Sequence, residues 1–171
     1  MNGAAWKTNI DTGDIKIDAI CKQLMDDMFP SMFSNTMSEF INRLSVGYPS
    51  EKCKLRKLKY SFEHLPDNSQ FIMDFHSSMT PLIEDIKNNN DVKIIKGIKT
   101  ALKHPNIYLD IETMWAKSPN ENKEIFKAFI LKLFEHADSA MNKDLIMEKA
   151  FIETDRVIQS NEFLKSFFGK V

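Results

Sequence analysis

Apolar residues recur along most of the chain at three- and four-residue intervals, the spacing that gathers them on one side of an α-helix. Ile17, Ile20, Cys21, Leu24 and Met28 form the first such stripe, which begins after Asp14. Pro30 is expected to end that helix, because proline lacks an amide donor and its ring crowds the preceding turn. Thr36-Met-Ser-Glu39 spells a capping box, in which the threonine and glutamate side chains satisfy the first helical amides. It predicts a second helix with Met37, Phe40, Ile41 and Leu44 inside, closed by Gly47-Tyr48-Pro49. Ser50 reads as the cap of a third helix that buries Leu55, Leu58 and Phe62. After a turn at Leu65-Pro66-Asp67-Asn68, Phe71, Ile72, Phe75 and Met79 make the next stripe.

Thr80-Pro81 has the form of an N-cap followed by proline at the first helical position, opening a short segment through Ile86. Lys87-Asn88-Asn89-Asn90 is a polar loop. Ile94, Ile95, Ile98 and Leu102 predict a helix stopped by His104-Pro105, and Ile107, Ile111, Met114 and Trp115 share a face after it. Ser118-Pro119-Asn120-Glu121 combines a serine cap, a first-position proline and a glutamate three residues past the cap. The helix it opens should bury Phe126, Phe129, Ile130, Leu133 and Ala137, with Trp115 and Phe126 packed across the turn. Residues 141–158 read as helical without a clear packing face. Ser160 would cap a last helix carrying Phe163, Leu164, Phe167 and Phe168, stopped at Gly169. Nothing alternates with period two for long enough to be a strand. The expectation is an all-α fold, a single globular bundle of seven to ten helices over residues 14–171. An unpatterned, flexible N-terminal arm, residues 1–13, precedes it and contains Trp6.

Composition narrows the function classes. A chain of 171 residues buries roughly 70% of its unfolded surface, so no metal or disulfide staple is needed. The net charge of −1 offers no global attraction to nucleic acid or to an anionic membrane. The 20 lysines against 3 arginines, with 18 isoleucines and 13 asparagines, follow the bias of A/T-rich codons. Cys21 and Cys53 form no C-x-x-C pair and are expected to be two buried reduced thiols rather than one disulfide. The first residues lack a signal-peptide pattern and a myristoylation glycine, and lysines interrupt the longest apolar clusters. The expected setting is intracellular and soluble.

Candidate chemistry is sparse. Asp11-Thr12-Gly13 matches the triplet of aspartic proteases, but that chemistry needs two facing carboxylates and there is one copy, so a helix-entry turn is the reading. His64, His76, His104 and His136 stand singly, without the spacings of a metal site. His104 and His136 suit helix C-termini, where a cation complements the dipole. Asp26-Asp27 and Glu84-Asp85 read as solvated helix faces, and no phosphate loop, nucleophile elbow or EF-hand occurs. Neither a catalytic residue nor a cofactor or metal is nominated, which points to a non-enzymatic structural or interaction protein. Trp6 and the cluster Phe163, Leu164, Phe167 and Phe168 are the candidate contacts with other proteins, a second copy of the chain included. Lys52, Lys54, Arg56, Lys57 and Lys59 form a basic helix face, the basis of an alternative as a nucleic-acid accessory factor. A further alternative is a helical regulator that holds a partner helix in a groove, although the Asn-Trp-Gly-Arg signature of such regulators is absent.

The stretch from Ile107 to Ala137 contains an apolar helix ending in Trp115, a short turn at Ser118, and a helix opening Glu121-Asn122-Lys123 before Ile125 and Phe126. This arrangement resembles a recurrent segment in uncharacterised all-helical proteins of nucleocytoplasmic large DNA viruses. Phe126 and Ala128-Phe129 stand where those proteins usually show Trp and a Tyr-Leu pair. The resemblance implies a viral protein, a virion component among the options, and supplies no catalytic residues.

Overall fold

The computed structural model describes residues 15–161 and Ser166. Helix α1 (Ile15–Gly47) runs for 33 residues with Pro30 in its interior. The expected stop at Pro30 is therefore overturned, and the Thr36–Glu39 capping box lies inside a continuing helix. The reason is tertiary: Phe29, Phe33, Met37, Phe40, Ile41 and Leu44 form one buried stripe that crosses the proline. Burial of side chains this large is worth about 1.5–3 kcal/mol each, enough together to outweigh an interior proline at about 3 kcal/mol. Asn68 braces the site by donating from Nδ2 to the Pro30 carbonyl at 3.3 Å and to Ser34 Oγ at 2.7 Å. Within the Thr36–Glu39 stretch Ser38 Oγ donates to Glu63 Oε1 at 2.8 Å, tying α1 to Glu63.

A short 3-10 turn (Pro49–Glu51) leads into α2 (Lys52–Glu63), so Ser50 does not cap that helix. There follow α3 (Ser69–Met79), a 3-10 turn (Thr80–Leu82), α4 (Ile83–Lys87), α5 (Asp91–Ala101), α6 (Ile111–Lys117), α7 (Asn120–Met141) and α8 (Lys143–Ser160). The eight α-helices among the described residues fall within the expected number. No strand occurs among the described residues, only an isolated bridge between His104 and Ile107. Helix α1 lies against α7 and α2, α3 packs on α7, and α5 sits among α3, α4, α6 and α7. Gly97 allows α5 this approach: a β-carbon there would come within 3.0 Å of Met79 Cε and 3.2 Å of Ile130 Cγ2. Phe33 touches the rings of Phe62, Phe71 and Phe75 edge-on or tilted, and Phe40 stacks on Phe129 at 5.2 Å. These contacts join α1, α2, α3 and α7 into one core.

Several helix ends depart from their sequence signals. Thr80 Oγ1 donates to the His76 carbonyl at 2.7 Å and so closes α3 instead of opening the next segment. Ser118 Oγ likewise donates back to the Met114 carbonyl at 2.7 Å, and α7 starts from Pro119 without a side-chain cap. The Tyr48 hydroxyl donates to the same carbonyl at 2.7 Å and contacts Ser118 Oγ, and burial pushes the Tyr48 pKa up. Two caps were not expected. Asn90 accepts from the Lys93 amide, after Asn89 turns the chain at a φ of 62°. Asp110 accepts from the Thr113 amide and hydroxyl, bonds that hold its carboxyl below the usual range. The face through Ile107 therefore does not continue α6, which begins at Ile111.

Candidate functional site

Two surfaces stand out, one around the basic helix and one along α1 and α8. In α2, Leu55, Leu58 and Phe62 form the buried seam, as their spacing predicted. The five basic residues divide. Lys54 pairs with Glu51 at 3.1 Å and Lys59 with Glu63 at 3.6 Å, whereas Lys52, Arg56 and Lys57 make no ion pair among the described residues. This splits the expected cationic face into two partly neutralised positions and a smaller free cluster.

Beside α2 lies an apolar pocket of about 290 Å³, walled by Met37, Ile41, Leu58, Phe62, Phe71 and Ala101. The exposed residues Leu65, Lys103 and Pro105 mark its opening, and Ser61 and His104 complete the lining. The last two also line a broad depression with Arg56, Lys57, Tyr60 and Asn106. The segment from Leu102 to Leu109 is pinned by burial of both leucines and by the bridge at His104. The Asn106 amide donates to His104 Nδ1 at 3.1 Å, which leaves the proton of the neutral ring on Nε2. The pocket thus joins an apolar interior to a rim bearing lysine, arginine and a histidine N–H.

The second surface overturns an expectation. Ile20, Leu24 and Met28, read as a buried stripe, are exposed, Leu24 at 65%. They lie on the side of α1 opposite Phe29 and Phe33, with the exposed Met32 continuing their line. In α8, every residue from 148 to 157 is exposed, including Phe151 and Ile152. The first residue of α8, Lys143, is buried at 2% and donates to the buried Asp26 carboxylate at 2.6 Å. Asp26 is therefore no solvated helix residue. From this ion pair the apolar part of α1 runs back toward Ile15, and α8 runs forward.

The remaining candidates scatter. His64 stacks on Tyr60, His76 meets Asp138 at 2.9 Å and stacks on Phe134, and His136 is buried. Burial, followed by Lys132, pushes the His136 pKa down, so it does not act as a cation at a helix end. Cys53 is exposed and free, against expectation, because it lies across α2 from the buried seam. No group of three His, Cys, Asp or Glu residues capable of holding a metal occurs among the described residues. None of the described helices is long and apolar enough to cross a membrane. Trp6, Asp11-Thr12-Gly13 and the cluster Phe163, Leu164, Phe167 and Phe168 lie outside the described residues. Pattern reasoning missed the pocket and the Asp26–Lys143 pair; buried lysine and aspartate in separate helices carry no local signal. Compared with protein-family models, curated proteins and solved structures, the chain matches none.

Proposed function

We propose that this chain is a non-enzymatic structural protein that self-associates through the exposed apolar side chains of α1 and α8. The observation carrying this reading is α8 itself, in which Phe151 is 48%, Ile152 53% and Val157 51% exposed. A helix exposed at every residue from 148 to 157 gains little from packing there, and packing is where most helix stability in proteins comes from. Covering the exposed half of such side chains contributes about 1 kcal/mol apiece, so a protein surface laid on several of them is favoured. A second copy suits the charge pattern: Glu148, Glu153 and Asp155 are interspersed with Lys149 and Arg156, so α8 carries both signs and two copies do not strongly repel. Two-fold pairing is also the commonest arrangement of soluble oligomers. Trp6 precedes α1 and Phe163, Leu164, Phe167 and Phe168 follow α8, so the expected contact residues adjoin both elements in the chain.

The proposal extends to the particle of a large DNA virus, on the resemblance carried by residues 107–137. Proteomics of purified particles tests that extension. For self-association, sedimentation velocity should show a dimer, and Phe151→Glu with Ile152→Glu should give a monomer of unchanged helical circular dichroism. A wild-type chain that stays monomeric at every accessible concentration overturns the reading.

A further inference from the structure

We propose that the pocket between α1, α2 and the Leu102–Leu109 segment binds a single-chain aliphatic carboxylate, a free fatty acid of medium length. The interior fits a hydrocarbon chain: Met37, Ile41, Leu58, Phe62 and Phe71 present no polar side-chain group to it. Its volume, about 290 Å³, lies at the low end of small-ligand pockets, which suits one short tail and excludes a two-tailed lipid. Apolar contact alone would not choose among ligands; the rim does. Lys103 stands at the opening, and Arg56 and Lys57 line the depression that shares Ser61 and His104 with the pocket. None of these three cations is paired with a carboxylate among the described residues, while Lys54 and Lys59 on the same helix are. His104 adds a neutral donor, because its Nδ1 already accepts from the Asn106 amide and its Nε2–H remains. Ser61, half-buried between the two cavities, adds a hydroxyl where tail and head would meet. An anion seated there exchanges water for charge-assisted hydrogen bonds while its chain leaves water entirely. The pocket's own lining holds one charged side chain, the cation Lys103, and no carboxylate; Glu63 and Asp67 line a separate depression that meets it only at Phe62 and Leu65. That asymmetry selects an anionic amphiphile over a neutral or cationic one. The site is separate from the α1 and α8 faces and does not depend on self-association.

The test is a titration of the full-length protein with decanoate below its aggregation concentration, followed by methyl and aromatic NMR. Saturable one-to-one shifts at Met37, Ile41 and Phe71 are expected. Decyltrimethylammonium, with the same tail and opposite charge, should bind about tenfold more weakly or not at all. Replacing Arg56→Glu and Lys103→Glu together, both at the surface, should weaken decanoate by about tenfold and leave the helical spectrum unchanged. Should that variant misfold, the comparison of the two amphiphiles on the wild-type chain still decides. Absence of saturable decanoate binding overturns the proposal, as does equal binding of the cationic amphiphile. If phosphatidylglycerol vesicles or a short oligonucleotide shift the rim residues while decanoate leaves the interior unmoved, the cations serve a membrane or nucleic acid and the proposal is overturned.

Discussion

Trp115 is buried, yet its indole Nε1 has no hydrogen-bond acceptor, while the Lys123 ammonium sits 5.4 Å from its ring centre. The ring's value is therefore apolar area, set against an unsatisfied donor. Trp115→Ala should cost about 3–5 kcal/mol in denaturant unfolding, and Trp115→Phe less than about half of that because it removes the orphaned N–H with most of the ring retained. Equal losses would show that the indole nitrogen matters more than the ring. His136 makes a second residue-scale prediction. Its pKa is lowered by burial, so the unfolded chain binds more protons than the folded one at pH values just below the ordinary histidine pKa of about 6.5. Its contribution is present above that pH and lost as pH falls toward the lowered value. His136→Gln should flatten this part of the stability–pH curve relative to wild type; parallel curves for the two proteins would refute it.

At the scale of elements, the Asp26–Lys143 pair joins α1 to the first residue of α8. A buried pair is costly to break, because the surviving charge loses this ion pair but not its burial. Asp26→Asn and Lys143→Met should each destabilise by about 3–5 kcal/mol, whereas Asp26→Leu with Lys143→Met should recover most of the loss. Additive losses in that cycle would mean that the two charges act independently. Pro30 belongs to the same scale. Read locally it is a helix stop, and the local physics is correct about its cost. The stop fails because Phe29 and Phe33 flank it on a face that α2 and α3 cover through Phe62, Phe71 and Phe75. Thr36 fails as a cap because α1 continues through it, and Ser118 fails for a different reason. A hydroxyl near a turn has several acceptors within reach, and Ser118 is drawn to the Met114 carbonyl beside Tyr48.

The described residues combine a covered core with two helices, α1 and α8, that expose apolar side chains. If those side chains meet in a dimer, association stabilises the folded chain alone, and the thermal midpoint must rise with protein concentration. Differential scanning calorimetry over a wide concentration range should show that rise in the wild type and not in the Phe151→Glu, Ile152→Glu protein. A midpoint independent of concentration in both would place the cover of α8 elsewhere. The near-neutral net charge leaves no long-range repulsion to oppose the pairing.

Helical periodicity is a local property, and it made the fold class legible. Met37, Phe40, Ile41 and Leu44, and likewise Phe126, Ile130, Leu133 and Ala137, sit inside as their spacing requires. The same spacing was misleading for Ile20, Leu24 and Met28, since a stripe states which residues share a face and not whether another helix lies over it. The basic helix was visible by composition, but its division into paired and unpaired cations depended on where Glu51 and Glu63 point. The pocket needed α1, α2, α3 and the Leu102–Leu109 segment to converge, and no stretch of sequence contains that meeting. Asp26 and Lys143 are 117 residues apart, so their pairing exists only once α1 and α8 are brought together. Local free energies of a few residues determine helices and turns; which face is covered, which charge is buried and where a cavity remains are decided by contacts between residues far apart in the chain.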